Sequence, residues 1–120
     1  MPIKFSNDKP IFLQLAEIIK GNILSGKYKI NEKLPSVREL ALIFAINPNT
    51  VQKALQLLED DGLIVTDRTN GKYVAENSSV IKKQKEIIIN SEIDSFFERM
   101  RALGLKDNEI KELINRRVES

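Results

Sequence analysis

The sequence predicts a mainly α-helical fold with one small β-hairpin, and three stretches carry that prediction. In Leu34-Pro35-Ser36-Val37-Arg38-Glu39-Leu40-Ala41, Ser36 and Glu39 stand three residues apart as a capping box. The hydroxyl accepts from the third helical N–H, and the carboxylate accepts from the N–H of Ser36 itself. A second helix start is Asn47-Pro48, a side-chain acceptor followed by the position where proline's missing N–H costs nothing. Val51, Ala54, Leu55 and Leu58 then recur at the spacing of one apolar helix face. The third stretch is a β-hairpin, Leu63 to Thr66 and Lys72 to Ala75, around a tip from Asp67 to Gly71 that contains Asn-Gly. Helix, helix, hairpin in that order is a winged helix-turn-helix, and a two-helix C-terminal dimerisation hairpin is expected to follow it.

The elements run as follows. Chain length, 120 residues with 42% hydrophobic content, suits one domain and a small appendage, divided here as residues 1–76 and 77–120. Ile3 and Phe5 in the opening segment read as an extended arm packed on the body. Asp8 reads as the cap of a helix from about Lys9 to Leu24, whose stripe of Ile11, Phe12, Leu15, Ile18, Ile19 and Ile23 makes it scaffold. Ser25-Gly26 ends it, and Lys27 to Lys33 form a basic loop. Ala45-Ile46 is the tight corner between the next two helices. After Glu59-Asp60-Asp61, Gly62 is placed to take the left-handed position beyond the last turn. In the tail, Ile89, Ile93, Phe96, Met100 and Leu103 fall at alternating intervals of four and three, the seam that keeps one stripe toward a partner helix. Gly104-Leu105 breaks that helix, and Asp107 to Val118 supplies a second with Ile110, Leu113 and Ile114 on its apolar face. So small a hairpin has no interior of its own. A homodimer is therefore expected through Ile89, Ile93, Phe96, Phe97, Met100, Leu103, Ile110, Leu113 and Ile114, against the alternative of a hairpin folded back on a monomer.

Functional classes narrow by composition. Without histidine or cysteine there is no imidazole or thiolate for nucleophilic catalysis or metal ligation, and no glycine-rich phosphate loop precedes a helix. An enzyme, a metal site and a cofactor are not expected. No signal-like N-terminus or long apolar run is seen, so a cytoplasmic protein with no membrane partner is expected. The net charge is only +2, with 10 Lys and Arg against 9 Asp and Glu in residues 1–76, so any claim of nucleic-acid binding rests on placement. Placement supplies it. The outer face of the second helix carries Asn49, Thr50, Gln52, Lys53 and Gln56, amide, hydroxyl and ammonium groups of the kind that read base edges and phosphates. A winged helix used for protein assembly, the rival reading, would show an apolar or aromatic face there.

Further residues carry a resemblance. Pro10-Ile11-Phe12-Leu13-Gln14-Leu15, Gly26, the run from Leu34 to Ala41, Asn49-Thr50-Val51-Gln52-Lys53-Ala54-Leu55, Gly62-Leu63-Ile64 and Gly71-Lys72-Tyr73-Val74 resemble the winged-helix domain of GntR-family bacterial transcription regulators over residues 9–75. The short tail is similar to that of the YtrA subfamily. The resemblance implies a DNA-binding repressor acting as a homodimer on a two-fold symmetric operator, with Arg38 at the family's DNA-contacting arginine. Lys33 and Arg38 flank a helix N-terminus, where a phosphate also meets free N–H donors. Ser36, Asn47, Asn49, Thr50, Gln52 and Lys53 complete the major-groove set. Arg68, Thr69, Asn70 and Gly71 form the tip, from which an arginine can enter the minor groove. Three departures stand out: Asn31 replaces a usual glycine, Pro48 and Gln52 replace frequent basic residues, and Thr69 replaces a common wing glycine. A small-molecule effector, if one acts, is expected in the crevice between the winged helix and the tail.

Overall fold

A computed structural model describes residues 4–120. Its elements are α1 (Ile11–Leu24), α2 (Val37–Phe44), α3 (Pro48–Asp60), β1 (Ile64–Asp67), β2 (Gly71–Val74), α4 (Ser78–Ala102) and α5 (Asp107–Glu119). The strands pair antiparallel, with Ile64 opposite Val74 and Asp67 opposite Gly71. Two compact units result, the first ending at Lys83 and the second spanning Gln84–Ser120, so α4 begins in one and ends in the other.

In the first unit α3 is the central element, packed against α1, α2 and β1. Leu15, Ile19 and Ile23 of α1 meet Leu40, Val51, Ala54, Leu55, Leu58, Leu63, Ile64 and Val74 in one buried cluster. Both anticipated caps are present. Glu39 N–H donates to Ser36 Oγ at 3.1 Å, Ser36 N–H donates to Glu39 Oε1 at 3.0 Å, and Asn49 N–H donates to Asn47 Oδ1 at 2.7 Å. The corner between α2 and α3 is turned by Ala45 in the left-handed conformation, φ 54°. A side chain there costs roughly 1–2 kcal/mol, so the corner is held by its surroundings and not by local preference.

The start of α1 differs from the sequence expectation. The helix begins at Ile11 with Pro10 at its cap, and Asp8 does not cap it. Lys9 precedes a proline, which disfavours the helical region for it. Gln14 secures the entry instead: its amide donates to the Ser6 and Lys9 carbonyls at 2.9 and 2.7 Å and accepts from Ser6 N–H. Phe5 packs beside the core and lies 6.4 Å from Phe44 between ring centres, while Ile3 falls outside the described residues.

The strands sit one residue further toward the tip than expected at one end, giving a three-residue loop, Arg68 to Asn70, with Gly71 at φ 110°. The segment before α2 is strapped alongside. Leu34 N–H donates to the Lys72 carbonyl, Val74 N–H to the Glu32 carbonyl and Asn31 N–H to the Val74 carbonyl. Asn31 takes the left-handed φ of 66° expected for a residue in glycine's place.

The second unit is the helical hairpin. Gly104, φ 91°, turns the chain, and Arg101 closes the turn with two bonds to the Asp107 carboxylate at 2.7 and 3.0 Å. That pair holds the Asp107 carboxyl below its usual range. Phe96, Met100, Leu105, Ile110, Leu113 and Ile114 line an open apolar hollow of about 400 Å³ within the hairpin. Among the described residues α4 has no buried side chain, and α5 has Ile110 alone. Ile110 is thus already closed within the chain. Phe96 and Met100 point into the hollow toward α5, whereas Phe97 lies under Arg101, 5.6 Å from its guanidinium.

Candidate nucleic-acid interface

The burial of Val51, Ala54, Leu55 and Leu58 fixes the rotation of α3 and leaves Asn49, Gln52, Lys53 and Gln56 exposed on its other side, with Thr50 half-buried. This follows from helical period: once one stripe is committed to the core, the opposite stripe must face solvent. Not every polar group on that side is free. Asn47 spends its carbonyl on the α3 cap, Lys53 Nζ lies 5.7 Å above the Phe12 ring, and Gln56 donates to Asp60 at 2.9 Å. Among the described residues, Asn49 and Gln52 carry no side-chain hydrogen bond within the chain, so their amides are available to a partner.

At the N-terminus of α2, Arg38 is exposed and Ser36 is committed as an acceptor in the capping box. Glu39 is held below its usual carboxyl range, first by the hydrogen bonds from Ser36 and then by Lys33 nearby. Lys33 lies closer to the wing than chain order suggests. It bridges to Tyr73, and its side chain runs past Gly71, where an added Cβ would stand 3.5 Å from Lys33 Cε.

Two features of the wing go beyond what the sequence shows. Asp67 accepts from Thr69 N–H at 2.9 Å, Thr69 Oγ1 at 2.7 Å, Asn70 N–H at 3.3 Å and Asn70 Nδ2 at 3.2 Å. These bonds, the Thr69 hydroxyl foremost, lower its carboxyl to about 2. A depressed carboxyl stabilises above its ordinary range and loses that contribution only as pH falls toward 2, so the tip is intact near neutrality. Lys72 Nζ donates to Thr66 Oγ1 at 2.7 Å, and Thr66 Oγ1 donates to Glu59 Oε1 at 2.6 Å. The only sequence signal for the first is an Asp two residues before a Thr, the Asx-turn spacing. The second joins residues far apart in the chain and has none.

A polar-faced helix set on a buried stripe, a capped helix before it and a hairpin after it define a winged helix-turn-helix, the reading head of a DNA-binding transcription regulator. The model for bacterial regulatory proteins of the gntR family matches residues 12–74. The chain belongs to the GntR family, whose members are regulators of transcription and not enzymes. It is 44% identical over 92 residues to the HTH-type transcriptional repressor YtrA of Bacillus subtilis (strain 168), covering 68% of this chain and 71% of that one. A GntR family transcriptional regulator from Listeria monocytogenes superposes with a TM-score of 0.86 at 34% identity over 93% of this chain and 98% of that one. AraR(DBD), crystallised in complex with operator ORR3, superposes with a TM-score of 0.56 at 29% identity over 62% of this chain and 90% of that one. Among the described residues no helix is long and apolar enough to cross a membrane.

Proposed function

We propose that the chain is a cytoplasmic repressor that binds a two-fold symmetric operator as a homodimer, with residues 1–76 as the reading head and 77–120 as the dimerisation unit. The observation that carries this reading is the outer face of α3, where Asn49 and Gln52 present unpaired amides above a fully buried stripe. An amide has the donor and acceptor that match adenine in the major groove, a contact good for about 1–3 kcal/mol of discrimination. Arg38 and Lys33 take backbone phosphates and set the register, Ser36, Asn47 and Thr50 line the groove edge, and Lys53 adds a phosphate contact from beside Phe12. Arg68, Thr69, Asn70 and Gly71 approach the adjacent minor groove. The operator-bound AraR(DBD) supports the mode of binding, and the name of YtrA supports repression.

Dimerisation is supported by the tail's exposed apolar side chains, Ile89, Ile93, Leu103 and Leu113, on a unit that cannot cover them itself. Repression needs no further chemistry: a dimer occupying a promoter excludes other proteins from it. Selection of duplexes from a random library, followed by hydroxyl-radical protection of the enriched sequence, tests the whole proposal. Two inverted A/T-containing half-sites centred about one helical turn or a multiple of it apart are expected, and Gln52→Ala should relax preference at one base pair in each. No enrichment, or a Gln52→Ala variant that weakens all duplexes equally, would refute base reading by this helix.

A further inference from the structure

We propose that Asp67 is a positioning residue for DNA binding, building the wing tip so that Arg68 is delivered to the groove; the inference rests on the reading of the wing given above. Four donors, two from Thr69 and two from Asn70, converge on the one carboxylate. Arg68 stands between the acceptor and its donors, so its backbone is fixed from both sides, while its own exposed side chain makes no hydrogen bond or ion pair among the described residues. Thr69 stands where related wings commonly use glycine, and its hydroxyl is one of the four donors. A tip built by side-chain bonds thus replaces one permitted by glycine's freedom.

A second device fixes the tip relative to the reading helix. Lys72 of β2, Thr66 of β1 and Glu59 in the last turn of α3 form a chain of contacts, with Lys72 Nζ also 3.9 Å from Glu59 Oε2. Both strands are therefore tied to the element that carries Asn49 and Gln52. An arginine on this wing meets the minor groove at an angle set by α3, which a floppy hairpin would not provide.

Electrostatics alone predicts the opposite behaviour, and this makes the inference testable. An exposed carboxylate beside phosphates opposes binding, so removing it should tighten every complex. Positioning requires that Asp67→Ala weaken binding despite the removal of a negative charge. Asp67→Asn keeps an acceptor oxygen for the Thr69 and Asn70 amides while removing the charge. The full chain is titrated with a duplex enriched from a random library by the wild-type protein, at several salt concentrations. Expected for Asp67→Ala is roughly tenfold weaker binding, the scale of one charge-assisted contact per complex. Its salt slope should flatten by about one unit for each phosphate that the wing no longer neutralises, and hydroxyl-radical protection beside the wing should disappear. Asp67→Asn should stay within about threefold of wild type, since the acceptor is retained. Asp67→Ala binding as tightly as wild type or tighter, with protection retained, overturns the inference, as does Asp67→Asn failing as badly as Asp67→Ala. Arg68→Ala separates the two levels. If it leaves affinity and salt slope unchanged, the wing reading itself is wrong; if it weakens binding while Asp67→Ala does not, only the role of Asp67 falls.

Discussion

The head and the tail are made of similar material and reach opposite states of burial. Each is mostly helical, and each carries one more basic than acidic residue, 10 against 9 in residues 1–76 and 9 against 8 in residues 77–120. In the head, Leu15, Val51, Ala54, Leu55 and Leu63 are wholly closed from solvent, whereas the 25-residue α4 has no side chain so enclosed. Length is not the cause, since α4 is the longest helix described. The head brings three helices and a hairpin around one centre, so each apolar stripe finds a neighbour; two helices alone pack along one face each and leave the remaining faces in water. A helix can be locally stable and still lack a partner, and that asymmetry is why the tail reads as an interface and the head as a domain.

The largest effect that would break this comparison lies in the head. Leu55→Ala should cost about 2–5 kcal/mol, the range for truncating a closed core leucine, whereas Leu103→Ala, at a residue 76% exposed, should stay within about 0.5 kcal/mol. Urea unfolding of both variants is the measurement, and equal destabilisation would show that the two regions do not differ in the way their burial implies.

Next in size is the coupling of the two heads. Ile89 and Ile93 are 46% and 48% exposed, so glutamate at both does not disturb the chain's own packing, unlike a charge at Met100, which lines the hairpin hollow. In the proposed dimer, Ile89→Glu with Ile93→Glu places charges against their symmetry mates in a two-fold interface. A folded monomer by ultracentrifugation is expected, with operator affinity lowered about a hundredfold because the second head no longer arrives at high effective concentration. A variant that stayed dimeric would move the interface elsewhere.

The smallest effect sharpens the comparison by acting on the head alone. Gly21 lies inside α1 with open space around it, and alanine in a helix interior is favoured over glycine by about 0.8–1 kcal/mol. Gly21→Ala should raise the midpoint of head unfolding and leave association and DNA affinity unchanged. A shift in the dimer equilibrium would show that head and tail do not respond separately.

Much of this was legible because it is local. The capping box at Ser36 and Glu39, the Asn47-Pro48 start, the glycine at the end of α3 and the polar face over Val51, Ala54, Leu55 and Leu58 are all set by residues within a few positions of each other. The tail shows where periodicity alone falls short. Ile89, Ile93, Phe96, Met100 and Leu103 fit one seam by spacing, yet Phe96 and Met100 turn toward α5. Ile87 and Ile88 are exposed beside Ile89, and three consecutive isoleucines span roughly 200° of a helix at 100° per residue, so the apolar surface there is wider than a single seam.

By itself, then, the sequence determined the order of elements, their ends, the face of α3 that stays outside and the family to which the chain belongs, since each follows from hydrophobic period, cap chemistry or a contiguous motif. Tertiary structure alone decided what the polar side chains are free to do. Whether Lys53 reaches outward or rests on Phe12, whether Lys72 meets a phosphate or braces Thr66 and Glu59, and whether Lys33 lies by α2 or against Gly71 depend on atoms that only folding brings within 6 Å. The physical reason is range: a hydrogen bond is satisfied over about 3 Å, while the sequence separation of its partners carries no information about that distance unless a turn or a helix fixes it.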